Sequence, residues 1–307
     1  MLYFWIVLAT LAILALLVLL GSYLCYRLTF HNSPKKGTPE AILDHLFEPY
    51  LDYMRKCEQE VRQMPCKDVW ITSFDGLRLH GRYYEHSPDS PIELMIHGYR
   101  SNALRDLSGG VLRCFQLGHS VLLIDQRSCG ESEGHVITFG ICEHKDCLSW
   151  LEFMKKEFGT QRKIILTGVS MGASTVLIAA GEKLPENVIG VLADCGYSNA
   201  KEIICSVIRS MKLPPKLLYP FVKLGAKLYG KFDLEETSSV EALRHSTVPV
   251  ILIHGEDDDF VPCYMSQHNH DACVSRKRLV VVPGARHGLS YPVDPDTYVR
   301  EMKNFFY

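Results

Sequence analysis

Lys163-Ile164-Ile165-Leu166-Thr167-Gly168-Val169-Ser170-Met171-Gly172-Ala173-Ser174-Thr175-Val176-Leu177-Ile178 is the stretch whose reading decides the fold. An apolar run reads as a strand, a Gly-x-Ser-x-Gly turn follows, and Ala173 to Ala180 reads as a helix. The turn is so tight that the residues flanking Ser170 must be small, so a glycine stands on either side. Its effect is to lift the Ser170 hydroxyl out of the backbone, with the next N–H directed at a bound oxyanion. The bland alternative is a glycine-rich turn that packs a helix on a sheet. The strand–turn–helix context favours the nucleophile.

A nucleophilic serine needs a base, and the base needs an orienting acid. In strand–turn–helix nucleophiles the chain order is serine, then acid, then histidine. Val248 to Pro262 reads as a buried strand running into the acidic loop Glu256-Asp257-Asp258-Asp259. Arg278 to Gly288 reads as another strand ending in a turn with His287. Strand ends of an open parallel sheet are where catalytic side chains converge. Ser170, one aspartate of 257–259 and His287 therefore fit one site, and spacing alone does not choose among the aspartates. His268 and His270 fall in a surface helix, about 200° apart on it, and cannot share a metal. His97 and His254 end strands and read as structural. Cys129 lacks a paired base and reads as an inert thiol. Asp257 to Asp259 lack the glycine and terminal glutamate of a calcium loop.

The chain resembles the α/β-hydrolase superfamily, in particular the serine hydrolases of its serine aminopeptidase and monoacylglycerol lipase-like group, as a membrane-anchored, bacterial-type member. Four motifs carry the resemblance, in order. Ile96-His97-Gly98-Tyr99 matches the oxyanion loop after the third strand. Asp125-Gln126-Arg127-Ser128-Cys129-Gly130-Glu131-Ser132-Glu133-Gly134 is similar to the Asp-x-Arg-Gly-x-Gly-x-Ser-x-Gly loop, with Ser128-Cys129 in place of the usual pair. The Ser170 turn is the third. His254, Gly255, Asp258, Val261 and Pro262 match His-Gly-x-x-Asp-x-x-Val-Pro. The resemblance implies Asp258 as the acid and the backbone N–H groups of Tyr99 and Met171 as the oxyanion hole. It covers about residues 67–307 and implies a mostly parallel sheet flanked by helices, with a helical cap. Metal and cofactor are both expected to be none.

Composition fits this. At 307 residues, 47% apolar, the chain can bury one large core with an appended segment. A net charge of -2 gives no global drive towards nucleic acid, so none is expected as a partner. Eleven scattered cysteines suit reduced thiols and a reducing compartment. Residues 1–26 carry no charged side chain. As a helix, Leu2 to Leu24 would span ~35 Å, enough for a ~30 Å hydrocarbon core. A cleaved signal would have a basic leader and a shorter apolar run. Arg27, Lys35 and Lys36 then place the hydrolase on the cytoplasmic side of a single-pass anchor.

The expected organisation is an anchor over 1–26, a linker and amphipathic helix over 27–66, and a hydrolase domain over 67–307. His31 to Gly37 reads as linker. Thr38-Pro39-Glu40 reads as a helix start, with Ile42, Leu43, Leu46, Phe47 and Tyr50 on one side and a break at Pro49. Lys67 to Tyr84 reads as a hairpin turning at Asp75-Gly76. Strands and helices then alternate, except over a cap at about 199–240, where Pro214-Pro215 and Pro220 divide short helices. Between 201 and 231 stand seven bases (Lys201, Arg209, Lys212, Lys216, Lys223, Lys227, Lys231) and one acid, Glu202. They form a solvated lid face, or a surface for an anionic leaflet.

The expected activity is cleavage of carboxylic ester or thioester bonds of small-molecule or lipid substrates with hydrophobic acyl groups. A serine aminopeptidase would need acids in the cap to hold a free amine, and the cap is basic. A silent membrane-tethered binding protein would be expected to lack one of Ser170, Asp258 or His287.

Overall fold

The computed structural model describes residues 1–33, 47, 48 and 50–307. The expected linker past Ser33, the helix start at Thr38, the apolar positions Ile42, Leu43 and Leu46, the flanking Lys35 and Lys36, and Pro49 lie outside the described residues.

Eight strands form one sheet in the order β1-β2-β4-β3-β5-β6-β7-β8. They are β1 (Lys67–Thr72), β2 (Arg78–Tyr84), β3 (Ile92–Ile96), β4 (Ser120–Ile124), β5 (Ile164–Val169), β6 (Val188–Asp194), β7 (Val250–Gly255) and β8 (Lys277–Val282). β2 pairs antiparallel with both β1 and β4, and every pairing from β4 through β8 is parallel. β3, β4 and β7 are buried along their whole length. Strands covered on both faces read as continuous apolar runs, which is why these were legible.

The pleat sends alternate side chains to two helical layers. Leu94, Leu122, Leu166, Val191 and Leu252 meet α4 (Glu143–Phe158) through Trp150 and α5 (Met171–Ala179) through Val176 and Leu177. On the other face Met95, Val121 and Leu123 meet α3 (Ala103–Gln116), while Ile165, Leu192 and Ile253 meet α11 (Pro295–Phe306). α2 (Leu51–Gln63) lies outside α3 and buries Val61 in that layer.

The cap holds α6 (Ala200–Ser210), α7 (Pro215–Gly225) and a π turn, Ala226–Gly230. Pro220 does not divide a helix as expected; it lies inside α7. Pro215 opens the helix, where a missing N–H costs nothing, and Pro220 faces outwards one turn later. α8 (Ser239–Leu243) straddles the expected end of the cap but belongs to the sheet layer. A β-carbon on Gly181, just past α5, would meet Ala242 at 2.7 Å.

α1 (Leu2–Thr29) runs three residues past the boundary drawn at 26, and the chain after it is not a free linker. Phe30 is fully buried, edge-on to Phe139 and Phe232 at 5.8 and 5.2 Å. The Ile137 N–H donates to the Phe30 carbonyl, and the Asn32 amide donates to the Ser128 carbonyl. The first two-thirds of α1 stand exposed.

Candidate active site

The turn after β5 is held by what it cannot accommodate. A β-carbon on Gly168 would lie 2.2 Å from the Gly172 carbonyl, and one on Gly172 would lie 2.1 Å from the Ile96 carbonyl. Only glycine allows α5 to start so close to β5 and β3. Ser170 itself adopts φ 56°, ψ -118°, a strained pair for a non-glycine residue. The bend is fixed by its own N–H donating to the Asp194 carbonyl at 2.8 Å and by its carbonyl accepting from Ser174.

His287 Nε2 lies 3.0 Å from Ser170 Oγ, and its Nδ1 lies 2.7 Å from Asp258 Oδ2. All three side chains are buried. The other carboxylate oxygen of Asp258 accepts from the Phe260 and Val261 N–H groups at 3.0 and 2.8 Å. Burial would raise the Asp258 pKa, but the His287 charge and the hydrogen bonds from His254 and His287 outweigh it. The carboxyl is held well below its ordinary value. Burial works against protonation of His287, yet Asp258 prevails and raises the imidazole above its ordinary value. Asp257 and Asp259 stay outside; Asp259 pairs with Arg286 at 2.9 Å. Phe260 covers His287, ring centroids 5.0 Å apart.

The loop after β3 comes up beside the serine. A β-carbon on Gly98 would sit 3.5 Å from Ser170 Cβ, and the Gly98 N–H donates to Asp106 Oδ2 at 3.0 Å. Met171 is the first residue of α5, so its N–H has no acceptor within the helix. Tyr99 and Met171 are thus both brought to Ser170. His97 accepts from the Gln126 N–H and stays beneath the loop. His268 and His270 remain on α9 (Tyr264–Ala272), away from the serine. The Asp125–Gly134 loop is a brace. Asp125 takes His80 Nδ1 at 2.9 Å and the Ala103 N–H at 3.0 Å, and Arg127 pairs with Asp75 and Asp146.

Three residues escaped the reading of the sequence. His254 does more than end a strand: its Nε2 lies 3.2 Å from Asp258 Oδ2 and 2.8 Å from the Val261 carbonyl, with Nδ1 on Ser266. The four-residue spacing to Asp258 was the available signal. Asp106 holds the Gly98 loop from one turn into α3, accepting also from the Ser101 hydroxyl. Asp194 ends β6 under the site; burial raises its carboxyl to about 6, against the Ser290 hydroxyl and the two histidine charges. Its neighbour Cys195 brings a sulfur within 4.8 Å of donor atoms on Asp258 and His287. A metal there would need a thiolate, and burial pushes the Cys195 thiol up. Asp258 and His287 already use their facing atoms on each other. The set reads as an inert thiol under a hydrogen-bonded relay.

The cavity over Ser170 is about 30 Å³, room for roughly two waters. Phe47, Met54, Tyr99, Arg105 and Phe260 close it.

Sheet order and the strained serine turn are those of the α/β-hydrolase fold, and comparison with known proteins agrees. The alpha/beta hydrolase fold family matches residues 94–222. The uncharacterized protein YqkD of Bacillus subtilis (strain 168) is 28% identical over 88% of each chain. The mitochondrial palmitoyl-protein thioesterase ABHD10 of Rattus norvegicus is 27% identical over 74% of this chain and 76% of its own. An esterase from Pyrococcus furiosus superposes with a TM-score of 0.67 at 22% identity, covering 90% of this chain and 97% of that one. The chain has the α/β-hydrolase fold and is similar to members of that superfamily.

Proposed function

We propose that the protein is a membrane-anchored serine hydrolase that cleaves carboxylic ester or thioester bonds of hydrophobic acyl substrates. The observation that carries this is the Ser170–His287–Asp258 relay, at 3.0 and 2.7 Å, beside the Gly98-Tyr99 loop. Ser170 Oγ attacks the acyl carbonyl while His287 Nε2 takes its proton. The Tyr99 and Met171 N–H groups hold the oxyanion, each such donor being worth about 10²–10³ in rate. Collapse of the tetrahedral adduct expels the alcohol or thiol, which takes the proton from His287. Water, activated by the same imidazole, then releases the acid. Asp258 keeps Nδ1 protonated and stabilises the imidazolium. No step calls for a metal or organic cofactor.

The substrate class is supported by the apolar walls of the pocket and by the thioesterase and esterase names of the relatives. α1, long and apolar enough to cross a bilayer, supports the anchor. Arg27, Lys35 and Lys36 beyond its apolar run support a cytoplasmic hydrolase domain. The test is labelling by a fluorophosphonate. The wild type is expected to label and Ser170→Ala is not. Equal labelling of the two would remove Ser170 as nucleophile.

A further inference from the structure

We infer that the corner between α6 and α7 is inserted in the bilayer alongside α1, so that the cap rests in the membrane from which substrate comes. This rests on the reading of α1 as a membrane span. The partner is a lipid surface with anionic headgroups.

The argument starts from the register between α1 and α7. Gly21 faces Phe221 so closely that a β-carbon would lie 3.1 Å from the ring, and one on Gly225 would lie 2.5 Å from the Ser22 carbonyl. The Tyr229 hydroxyl donates to the Leu19 carbonyl at 3.1 Å, and its ring meets Tyr23 at 5.2 Å. Between Gly225 and Phe221 the contact moves from Ser22 and Tyr26 to Gly21, so over this stretch α7 leads back towards the apolar part of α1, and the Tyr229 hydroxyl reaches across to Leu19. A hydrocarbon core of about 30 Å takes up about 20 residues of helix, Leu2 to Gly21. Phe221 therefore lies at the edge of the core. Leu217, one turn further back on α7, lies on the side away from Gly225, towards the apolar part of α1.

The side chains at that depth suit lipid. Met211, Leu213 and Leu217 are 63%, 43% and 62% exposed, together at one corner of the cap. A soluble surface rarely gathers three such side chains at one place without a partner. Lys212 and Lys216 alternate with them, and among the described residues neither pairs with a carboxylate. Their stems can lie along the acyl chains while the ammonium groups reach the headgroups. By contrast Lys223 and Lys201, further from the corner, share Glu235. The corner thus keeps its free cations where an anionic leaflet would meet them.

Cysteine accessibility in the full chain tests this. Leu213→Cys and Leu217→Cys are made with Cys66→Ser, which removes the exposed thiol, and Thr160→Cys serves as an exposed control. In nanodiscs of phosphatidylcholine and phosphatidylglycerol, a charged maleimide is expected to label positions 213 and 217 at least about tenfold more slowly than 160, because a thiol in hydrocarbon does not ionise. Full labelling after unfolding in detergent would show the thiols intact. Carbonate extraction of vesicles reads the anchor separately. Protein that resists extraction while 213 and 217 label as fast as 160 overturns the insertion and leaves the anchor standing. Protein that washes off overturns both.

Discussion

Asp258 sits between two histidines and two backbone N–H groups, which hold its carboxyl low against burial, and its negative charge in turn raises His287 against burial. The base works only when neutral. Because Asp258 lifts His287 above 6.5, the acid limb of kcat/KM is expected above pH 6.5, with activity lost as pH falls through it. Asp258→Asn removes the lifting charge. It is expected to lower kcat by about 10⁴ and to move the limb to lower pH, read from a pH–rate profile on a soluble ester. A limb that stays in place would deny Asp258 its electrostatic part. Gly172 makes a different prediction at this scale. A methyl group there would lie 2.1 Å from the Ile96 carbonyl, so Gly172→Ala must push α5 off β3. It is expected to cost about 3 kcal/mol of stability, the upper end of overpacking, seen as a lower urea midpoint.

Elements were legible where each carries its own pattern. β3, β4, β6 and β7 are apolar runs because both faces are covered, and the glycines at 168 and 172 mark the turn whatever surrounds it. The four motifs lie on strand ends, so the site could be read with the sheet. What escaped depends on contacts between distant segments. Nothing in Asp106 or Asp194 says that a loop eight residues earlier, or a histidine 93 residues later, will lie against it. Pro220 reads as a breaker, yet α7 tolerates it on the outer side of an early turn. Phe47 is the clearest case. Residues before the hydrolase core line its pocket: Phe47 packs beside Leu289, Met54 and Phe260, and lies 3.3 Å from where a β-carbon on Gly288 would be. With about 30 Å³ free above Ser170, this wall must move before an acyl chain can enter. Phe47→Ala is therefore expected to raise kcat/KM for long-chain p-nitrophenyl esters about tenfold while leaving the acetate nearly unchanged. A uniform fall along the series would make Phe47 a support and not a gate.

At the scale of the whole molecule, α1 has two parts with different work. Its exposed apolar stretch is not buried by any of the described residues, whereas Ser22, Tyr26 and Phe30 are buried against the cap and the loop at 137–141. The carbonyls at its C-terminal end are also claimed. The Tyr99 hydroxyl donates to Thr29 at 2.7 Å, and Arg100 donates to Leu28 and His31 at 2.9 and 3.0 Å. Those donors stand on the loop that brings the Tyr99 backbone to Ser170, so the end of α1 steadies that loop directly. Two truncations separate the parts. Removing residues 2–18 takes away only exposed helix and is expected to leave melting temperature and hydrolysis of a short soluble ester close to those of the full chain. Removing residues 2–33 strips Phe30 from an aromatic cluster, a loss of about 3–5 kcal/mol if it resembles other buried aromatics. At roughly 2–4 °C per kcal/mol for a domain of this size, melting is expected about 10 °C lower. Turnover is expected to fall further than stability explains, because Tyr99 loses its tether. Tyr99→Phe in the full chain isolates that last effect: it keeps the ring against Phe139 and deletes only the hydroxyl. A several-fold lower kcat with unchanged melting would show α1 acting on the loop beside Ser170, and an unchanged kcat would reduce the contact to packing.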